Sequence, residues 1–208
     1  FFNSAFSKTE AISPYPAKTS ICNDIIAAVF GLTTVFLAGR ASKYNFWVGY
    51  IYTALLAVMF WDKNLYANLI LQPISLCINI MGHYRWTHPR AEETTAKGEL
   101  KVTMLSWPLR ILTIVVALSL AALWGWLMSK TDNPLPYLDC VVTALILTAQ
   151  FLSAQKKFEC WIAWLFVNVA NLTLYLSAGL VFMPIVSALY LVNAIISLIN
   201  WYKLYKKS

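Results

Sequence analysis

The sequence predicts an all-α integral membrane protein: seven transmembrane helices, arranged as two parallel three-helix repeats joined by one linker helix (3+1+3). Three observations carry this. Of the 208 residues, 60% are hydrophobic and only 12% charged, with a mean hydropathy of +0.63. Soluble domains average about 45–50% apolar and about 25% charged. Seven stretches approach the roughly 20 apolar residues that a bilayer crossing needs. The second half also repeats the order of residue types in the first.

Residues 1–20, FFNSAFSKTEAISPYPAKTS, alternate apolar and polar side chains and end in a Pro-rich turn. Without a long apolar core they read as an interfacial segment, not a cleavable signal. Spans at Ile21–Gly39, Tyr44–Trp61 and Leu65–Trp86 make a first bundle over 21–86. Leu105–Met128 is the linker helix, within 105–128. Asp139–Ala154, Phe158–Ala178 and Leu180–Tyr202 make a second bundle over 139–203. The one long polar connection is 87–104, THPRAEETTAKGELKVTM, and it is the sole candidate boundary.

Charge tests the count of spans. With seven crossings, one side receives Arg40, Lys43, Arg85, Arg90, Lys97, Lys101, Arg110, Lys156, Lys157, Lys203, Lys206 and Lys207, and the other Lys8, Lys18, Lys63 and Lys130. That 12-to-4 asymmetry places the basic side in the cytoplasm, the N-terminus outside and the C-terminus inside. It also accounts for the net charge of +7 without invoking nucleic acid. The lysines at 156 and 157 and at the C-terminus read as topology determinants and lipid-facing charge, not substrate ligands.

The repeat is visible in KYNFWVGY at 43–50, which lines up with KFECWIAW at 157–164, and in Asn79 opposite Asn193 at the same offset. Trp86 and Trp201 each end a third helix at a basic boundary, and Pro73 and Pro184 lie near the starts of those helices. Both prolines are candidate hinges, because a mid-helix proline removes a hydrogen bond. Two odd-numbered bundles joined by a single crossing insert in the same orientation, so a pseudo-twofold along the membrane normal can relate them.

Polar residues fall in stripes. At 100° per residue, Trp161, Trp164, Asn168, Asn171 and Tyr175 span an arc of roughly 80°. Trp47, Tyr50, Ala54, Ala57 and Trp61 trace the corresponding face of the second span. The third carries Asn68, Gln72, Ser75, Asn79 and His83, the seventh Tyr190, Asn193, Ser197 and Asn200, and the fifth Thr143 and Gln150. Polar groups at that depth face a bundle interior or an aqueous cavity. Interhelical glue is the plainer reading, but tight helix contacts favour small residues, not tryptophan. Rings interleaved with amides suit a flat, hydrogen-bonding solute.

Other chemistries find little support. Asp24, Asp62, Asp139 and Glu159 lie near span ends, so no mid-span carboxylate offers proton or sodium coupling. The two histidines, His83 and His88, give neither a nucleophile–base pair nor a metal cluster, and no enzyme activity or cofactor is expected. Cys22, Cys77, Cys140 and Cys160 lack metal-site or disulfide spacing. A non-transporting assembly subunit is the remaining alternative.

The stripe at 161–175 (W-x-x-W-x-x-x-N-x-x-N-x-x-x-Y), YLVNA at 190–194 and NW at 200–201 resemble the PnuC family of nicotinamide riboside transporters. So do LYA at 65–67 and GHYRW at 82–86, and the likeness runs from about residue 21 to 203. It implies a SWEET-like 3+1+3 fold in a bacterial inner membrane and facilitated diffusion of nicotinamide riboside, trapped afterwards by cytoplasmic phosphorylation. It also implies ring contacts from Trp161 and Trp164 and hydrogen bonds from Asn168, Asn171 and Asn193. Gln72, Asn79 and Gln150, with Tyr50 and Tyr190 on the same stripes, complete the expected pocket. His83, Asn79 and Asn68 stand where many members carry Trp, Gln and Asp, and sister branches carry thiamine or riboflavin. A homo-oligomer is compatible with the sequence, but no motif sets a number.

Overall fold

Seven helices occupy the seven apolar stretches in the computed structural model, which describes residues 17–62, 66–129, 136–177 and 182–207. They are α1 (Ala17–Gly39), α2 (Tyr44–Asp62), α3 (Tyr66–Thr87), α4 (Trp107–Met128), α5 (Pro136–Ala154), α6 (Glu159–Ser177) and α7 (Phe182–Lys207). The bounds fall within a few residues of expectation at most ends. Helix α1 starts at Ala17, inside the segment expected to lie at the interface; residues 1–16 fall outside the described part.

The principal helix contacts run α1·α2, α2·α3, α3·α5, α5·α6, α6·α7 and α7·α1, which closes a ring of six. Helix α4 stands outside it against α5, where a Cβ at Gly125 would lie 2.7 Å from Cδ1 of Tyr137. The apolar stretch Trp107–Leu127 has 21 residues, or about 32 Å at 1.5 Å per residue. A hydrocarbon core is about 30 Å thick. Ile111, Leu112, Ile114, Val115, Leu118 and Leu123 on this helix are exposed, an exterior suited to lipid, not water. By length and composition alone, Trp107–Leu127 and Pro184–Lys207 qualify as spans among the described residues, and Ile25–Gly39 and Cys140–Ala154 are shorter apolar stretches.

One end of the ring is tied reciprocally. Trp86 at the end of α3 donates Nε1–H to the carbonyl of Ala154 at the end of α5, at 3.2 Å. Trp201 in α7 donates to the carbonyl of Ala38 in α1, at 3.1 Å. Each third helix thus anchors on the first helix of the other half. Small residues permit this: a Cβ at Gly82 would lie 2.9 Å from Cβ of Ala154, and one at Gly39 would collide with Oγ of Ser197.

The two tryptophans lie 115 residues apart, as do Gly39 and Ala154, and Gly82 and Ser197. The two turns after α1 and α5 agree, with Ala41 at φ 53° and Lys156 at φ 54°. In each, the next amide reaches back to a matched carbonyl, Ser42 to Leu37 at 3.0 Å and Lys157 to Leu152 at 2.9 Å. The sequence alignment had used 114, and one residue is 100° of helix. Phe46, not Trp47, therefore corresponds to Trp161. Each is edge-on to its partner, Phe46 to Trp86 at 5.1 Å and Trp161 to Trp201 at 5.8 Å. The inner face of α2 is accordingly Phe46, Gly49, Thr53 and Phe60, while Trp47, Ala54 and Trp61 point outward.

The polar connection departs most from expectation. After a short 3-10 turn at Ala91–Glu93 it folds back over the tied end of the ring and buries Leu100 and Val102 to 4% and 3% exposure. They join Phe46, Trp86, Leu152, Cys160, Trp161 and Trp201 in one apolar cluster. Thr103 N–H donates to the Lys156 carbonyl at 3.2 Å, and Phe158 N–H donates to the Thr103 carbonyl at 2.9 Å. Glu159 accepts from the Leu105 amide at 3.0 Å and pairs with Arg110 at 2.8 Å. A stretch that reads as a boundary is a cap.

Pro184 is the third residue of α7, where amides have no intrahelical partner, so it costs no hydrogen bond. Pro73 lies inside α3 and keeps its capacity to kink.

Candidate functional site

On α6, Trp161, Val167 and Asn168 are buried, Trp164 and Asn171 half-buried, and Ile162, Phe166, Val169 and Thr173 exposed on the opposite face. On α3, Gln72 and Trp86 are buried and Asn79 and His83 half-buried, while Ile70, Ile74, Ile80 and Tyr84 are exposed. Helix α7 buries Ser187, Ala194 and Ser197, half-buries Tyr190 and Asn193, and exposes Ile185, Leu189, Val192 and Ile196. Gln150 on α5 is half-buried one residue from Ala149, which is fully enclosed. The amphipathic split is weak in hydrophobicity because lipid and interior are both partly apolar. It is clear in polarity: amides sit inward. The side chains of Asn68 and Tyr175 lie outside the described residues.

The ten candidates do not act alike. Asn193 donates Nδ2–H to the carbonyl of Val35 at 3.3 Å, and the Tyr190 hydroxyl crowds Gly31; both work at the α1–α7 seam. The Asn79 amide packs beside Gly49 at the α2–α3 seam. The Tyr50 hydroxyl hydrogen-bonds Nδ1 of His83 at 2.9 Å, and Trp47 meets that imidazole edge-on at 5.3 Å. Phe46 stacks on it at 5.6 Å. Tyr50 is thus drawn to a first-half aromatic box that the sequence reading did not assemble. The interhelical-glue reading holds for Asn193.

The second half differs. Trp161 is 1% exposed inside the aromatic cluster, with Trp164 packed against that cluster one turn further along α6. Trp161 Nε1 and Gln150 Oε1 are buried without a hydrogen-bond partner, a donor and an acceptor. Leaving such groups unpaired costs about 1–3 kcal/mol each. Gln72 is buried and is not without a partner.

Lys156 overturns a reading. It is 4% exposed, not lipid-facing, with Nζ 4.6 Å above the Trp86 ring. Burial pushes its ammonium below the usual lysine range, and Glu99 opposes that shift. The sequence signal available was its place in the turn, aligned with Ala41, where a left-handed residue is needed.

The ring of helices with inward amides and one tied end is the setting in which kinship becomes informative. Residues 21–203 match the model of the nicotinamide mononucleotide transporter family. The chain belongs to that family. The resemblance read from the stripe is thereby borne out. Over 193 residues the chain is 28% identical to the nicotinamide riboside transporter PnuC of Neisseria mucosa, covering 88% of this chain and 72% of that one. Identity to PnuC of Escherichia coli is 24% over 181 residues, covering 75% and 74%. Identity to the riboflavin/roseoflavin transporter RibM of Streptomyces davaonensis is 25% over 174 residues, covering 82% and 79%. The fold is similar to that of a crystal structure of the vitamin B3 transporter PnuC, with a TM-score of 0.70, 25% identity and coverage of 88% and 81%. Family membership fits the residues named above: the all-helical ring positions them, and its exterior suits a membrane.

Among the described residues no group of three or more His, Cys, Asp or Glu is placed to hold a metal ion. The chemistry on offer is hydrogen bonding and ring contact.

Proposed function

We propose that this family member carries nicotinamide riboside across a bacterial inner membrane by facilitated diffusion. The observation that supports it best is that adjacent helices α6 and α5 carry a buried unpaired donor, Trp161 Nε1, and a buried unpaired acceptor, Gln150 Oε1. A carboxamide supplies one acceptor and one donor, the complement of that pair. Trp164, Asn168 and Asn171 offer a ring and two amides along the same face for pyridinium and ribose.

The inner faces also discriminate. The phosphorylated form of the same nucleoside brings a doubly charged phosphate, which needs a cation when buried. The inward residues of α3, α5, α6 and α7 named above include none. The relatives' names favour the riboside, and so does this charge argument. Without a carboxylate relay the carrier equilibrates its solute, so net uptake depends on intracellular phosphorylation.

The 3+1+3 parallel-repeat, SWEET-like plan is supported by the order of contacts around the ring and by the matched turns 115 residues apart. The basic residues gather at the tied end, which we assign to the cytoplasm, with the N-terminus outside. In that orientation the aromatic cluster, capped by Leu100 and Val102, closes the cytoplasmic end. Release inward requires the cap to lift and the Trp86–Ala154 and Trp201–Ala38 ties to part, the two halves rocking about the vitamin. Pro73 is the retained hinge candidate.

Riboflavin is the second reading, because the RibM relative is as similar to this chain as one of the riboside carriers. Calorimetry on the purified protein with nicotinamide riboside, thiamine and riboflavin separates them. Saturable binding of the riboside alone, lost in Trp164→Ala, is expected. Binding of riboflavin alone would transfer the chain to the other branch. A folded protein that binds none would overturn the pocket.

A further inference from the structure

Outside the solute site, a cavity of about 280 Å3 opens between the ends of α1 and α7, lined by Gly39, Arg40, Asn200, Lys203, Leu204 and Lys207. Three of the six are cations and none is a carboxylate. Among the described residues no acid pairs with Arg40, Lys203 or Lys207. The Arg40 guanidinium lies 4.1 Å over the Phe36 ring, which restrains the side chain. The carbonyls at the end of α1 do not repel an anion freely. Those of Phe36, Leu37 and Ala38 already accept from the Arg40, Ser42 and Ala41 amides.

The matching positions in the other half show what this cleft lacks. At the offset of 115, Asn200 corresponds to Arg85 and Arg40 to Gln155. There the connection after α3 folds back and sets Glu93 on Arg85 at 3.0 Å, and Gln155 Nε2 approaches the Met81 sulfur at 3.7 Å. Those positions hold a single cation, Arg85, neutralised by the chain's own Glu93. The α1–α7 cleft holds three cations around an open space.

We propose that the α1–α7 cleft is a binding site for a phosphate-bearing anion. Guanidinium matches phosphate as a two-pronged donor, and the lysines add point charge. Tyr202 and Tyr205, both exposed beside Lys203 and Leu204 on α7, place the cleft at the level where aromatic side chains meet lipid headgroups. The shared chemistry is the phosphate group, supplied by an anionic phospholipid or by a free phosphate ester. Because the cleft lies at the seam where Trp201 holds Ala38, an occupant would brace that seam. The inference does not depend on which vitamin is carried.

The test compares the parent with Arg40→Gln/Lys203→Gln/Lys207→Gln and with a charge-matched control, Lys97→Gln/Lys101→Gln/Lys206→Gln. The single variant Lys203→Gln serves if the triple fails to fold. Native mass spectrometry measures retention of phosphatidylglycerol against phosphatidylcholine, and a melting curve measures the response to inorganic phosphate. At about 1 kcal/mol per basic residue near a headgroup, the triple variant should lose roughly a hundredfold in phosphatidylglycerol retention, and the single variant about fivefold. The control, whose lysines lie outside the cleft lining, should lose far less than the triple variant. Loss of the phosphate response alone, with lipid retention unchanged, would support the site and make its occupant soluble. Equal behaviour of the cleft variants and control towards both anions, or no binding by the parent, would overturn the proposal.

Discussion

Truncating the cap should open the tied end. In Leu100→Ala/Val102→Ala, five buried carbons leave the cluster of Phe46, Trp86, Cys160, Trp161 and Trp201. At about 0.8 kcal/mol per carbon this removes roughly 4 kcal/mol of transfer free energy, before any cavity penalty. If all of it biased closed against open, the equilibrium would move by roughly a thousandfold. Sharing with global stability will reduce that. Cys160 reports the opening, because its thiol is 0% exposed within the same cluster. With the other cysteines replaced, an impermeant maleimide should label Cys160 slowly in the capped protein. Labelling in the double variant should be faster by tenfold or more, and only from the basic side. The variant must stay monodisperse and bind nicotinamide riboside. Unchanged protection of Cys160 in such a protein would refute the view that the connection closes this end.

Gly82→Ala should destabilise by about 1–3 kcal/mol, although alanine normally gains up to about 1 kcal/mol over glycine in a helix. The new Cβ would lie 3.1 Å from the Cα of Ala154, which cannot rotate away; a melting point equal to or above the parent's would contradict the seam. Gln150→Leu should leave stability unchanged or higher, since it deletes an unpaired acceptor. Riboside affinity should fall about tenfold by calorimetry, and equal affinity would remove Gln150 from the pocket. Lys156 has a folded pKa below its unfolded value near 10.5. Its contribution is therefore full above that pH and is lost as pH falls through the folded value. Lys156→Met should melt above the parent at neutral pH, with the gap closing towards pH 10.5. A gap independent of pH would show that its charge is not strained; the Trp86 ring at 4.6 Å is the compensation working against the effect.

Periodicity made the helices legible, because a bilayer forces nearly every residue of a crossing to be apolar or inward-facing. The amide stripes on α3, α6 and α7 were readable for the same reason. The α2 face was misread because aromatic residues recur often enough to align one position out of step. Only the placement of Trp86 and Trp201, the close contacts of Gly39 and Gly82, and the left-handed residues at 41 and 156 point to an offset of 115. Lys156 was misread because a lysine in a loop is usually solvated, and sequence does not show a tryptophan folding beneath it.

The sequence by itself determined that this chain is helical, suited to a membrane and lined with amides and rings, since each is a property of residue order within one helix. Tertiary structure alone decided how the halves exchange anchors and which polar groups are spent on seams. It also decided that Leu100 and Val102 leave a polar loop to plug the ring. Those outcomes depend on contacts between residues far apart in the chain: 68 positions separate Trp86 from Ala154, and 163 separate Trp201 from Ala38. Local spacing carries no record of such distances, because burial is a property of what the rest of the chain brings alongside.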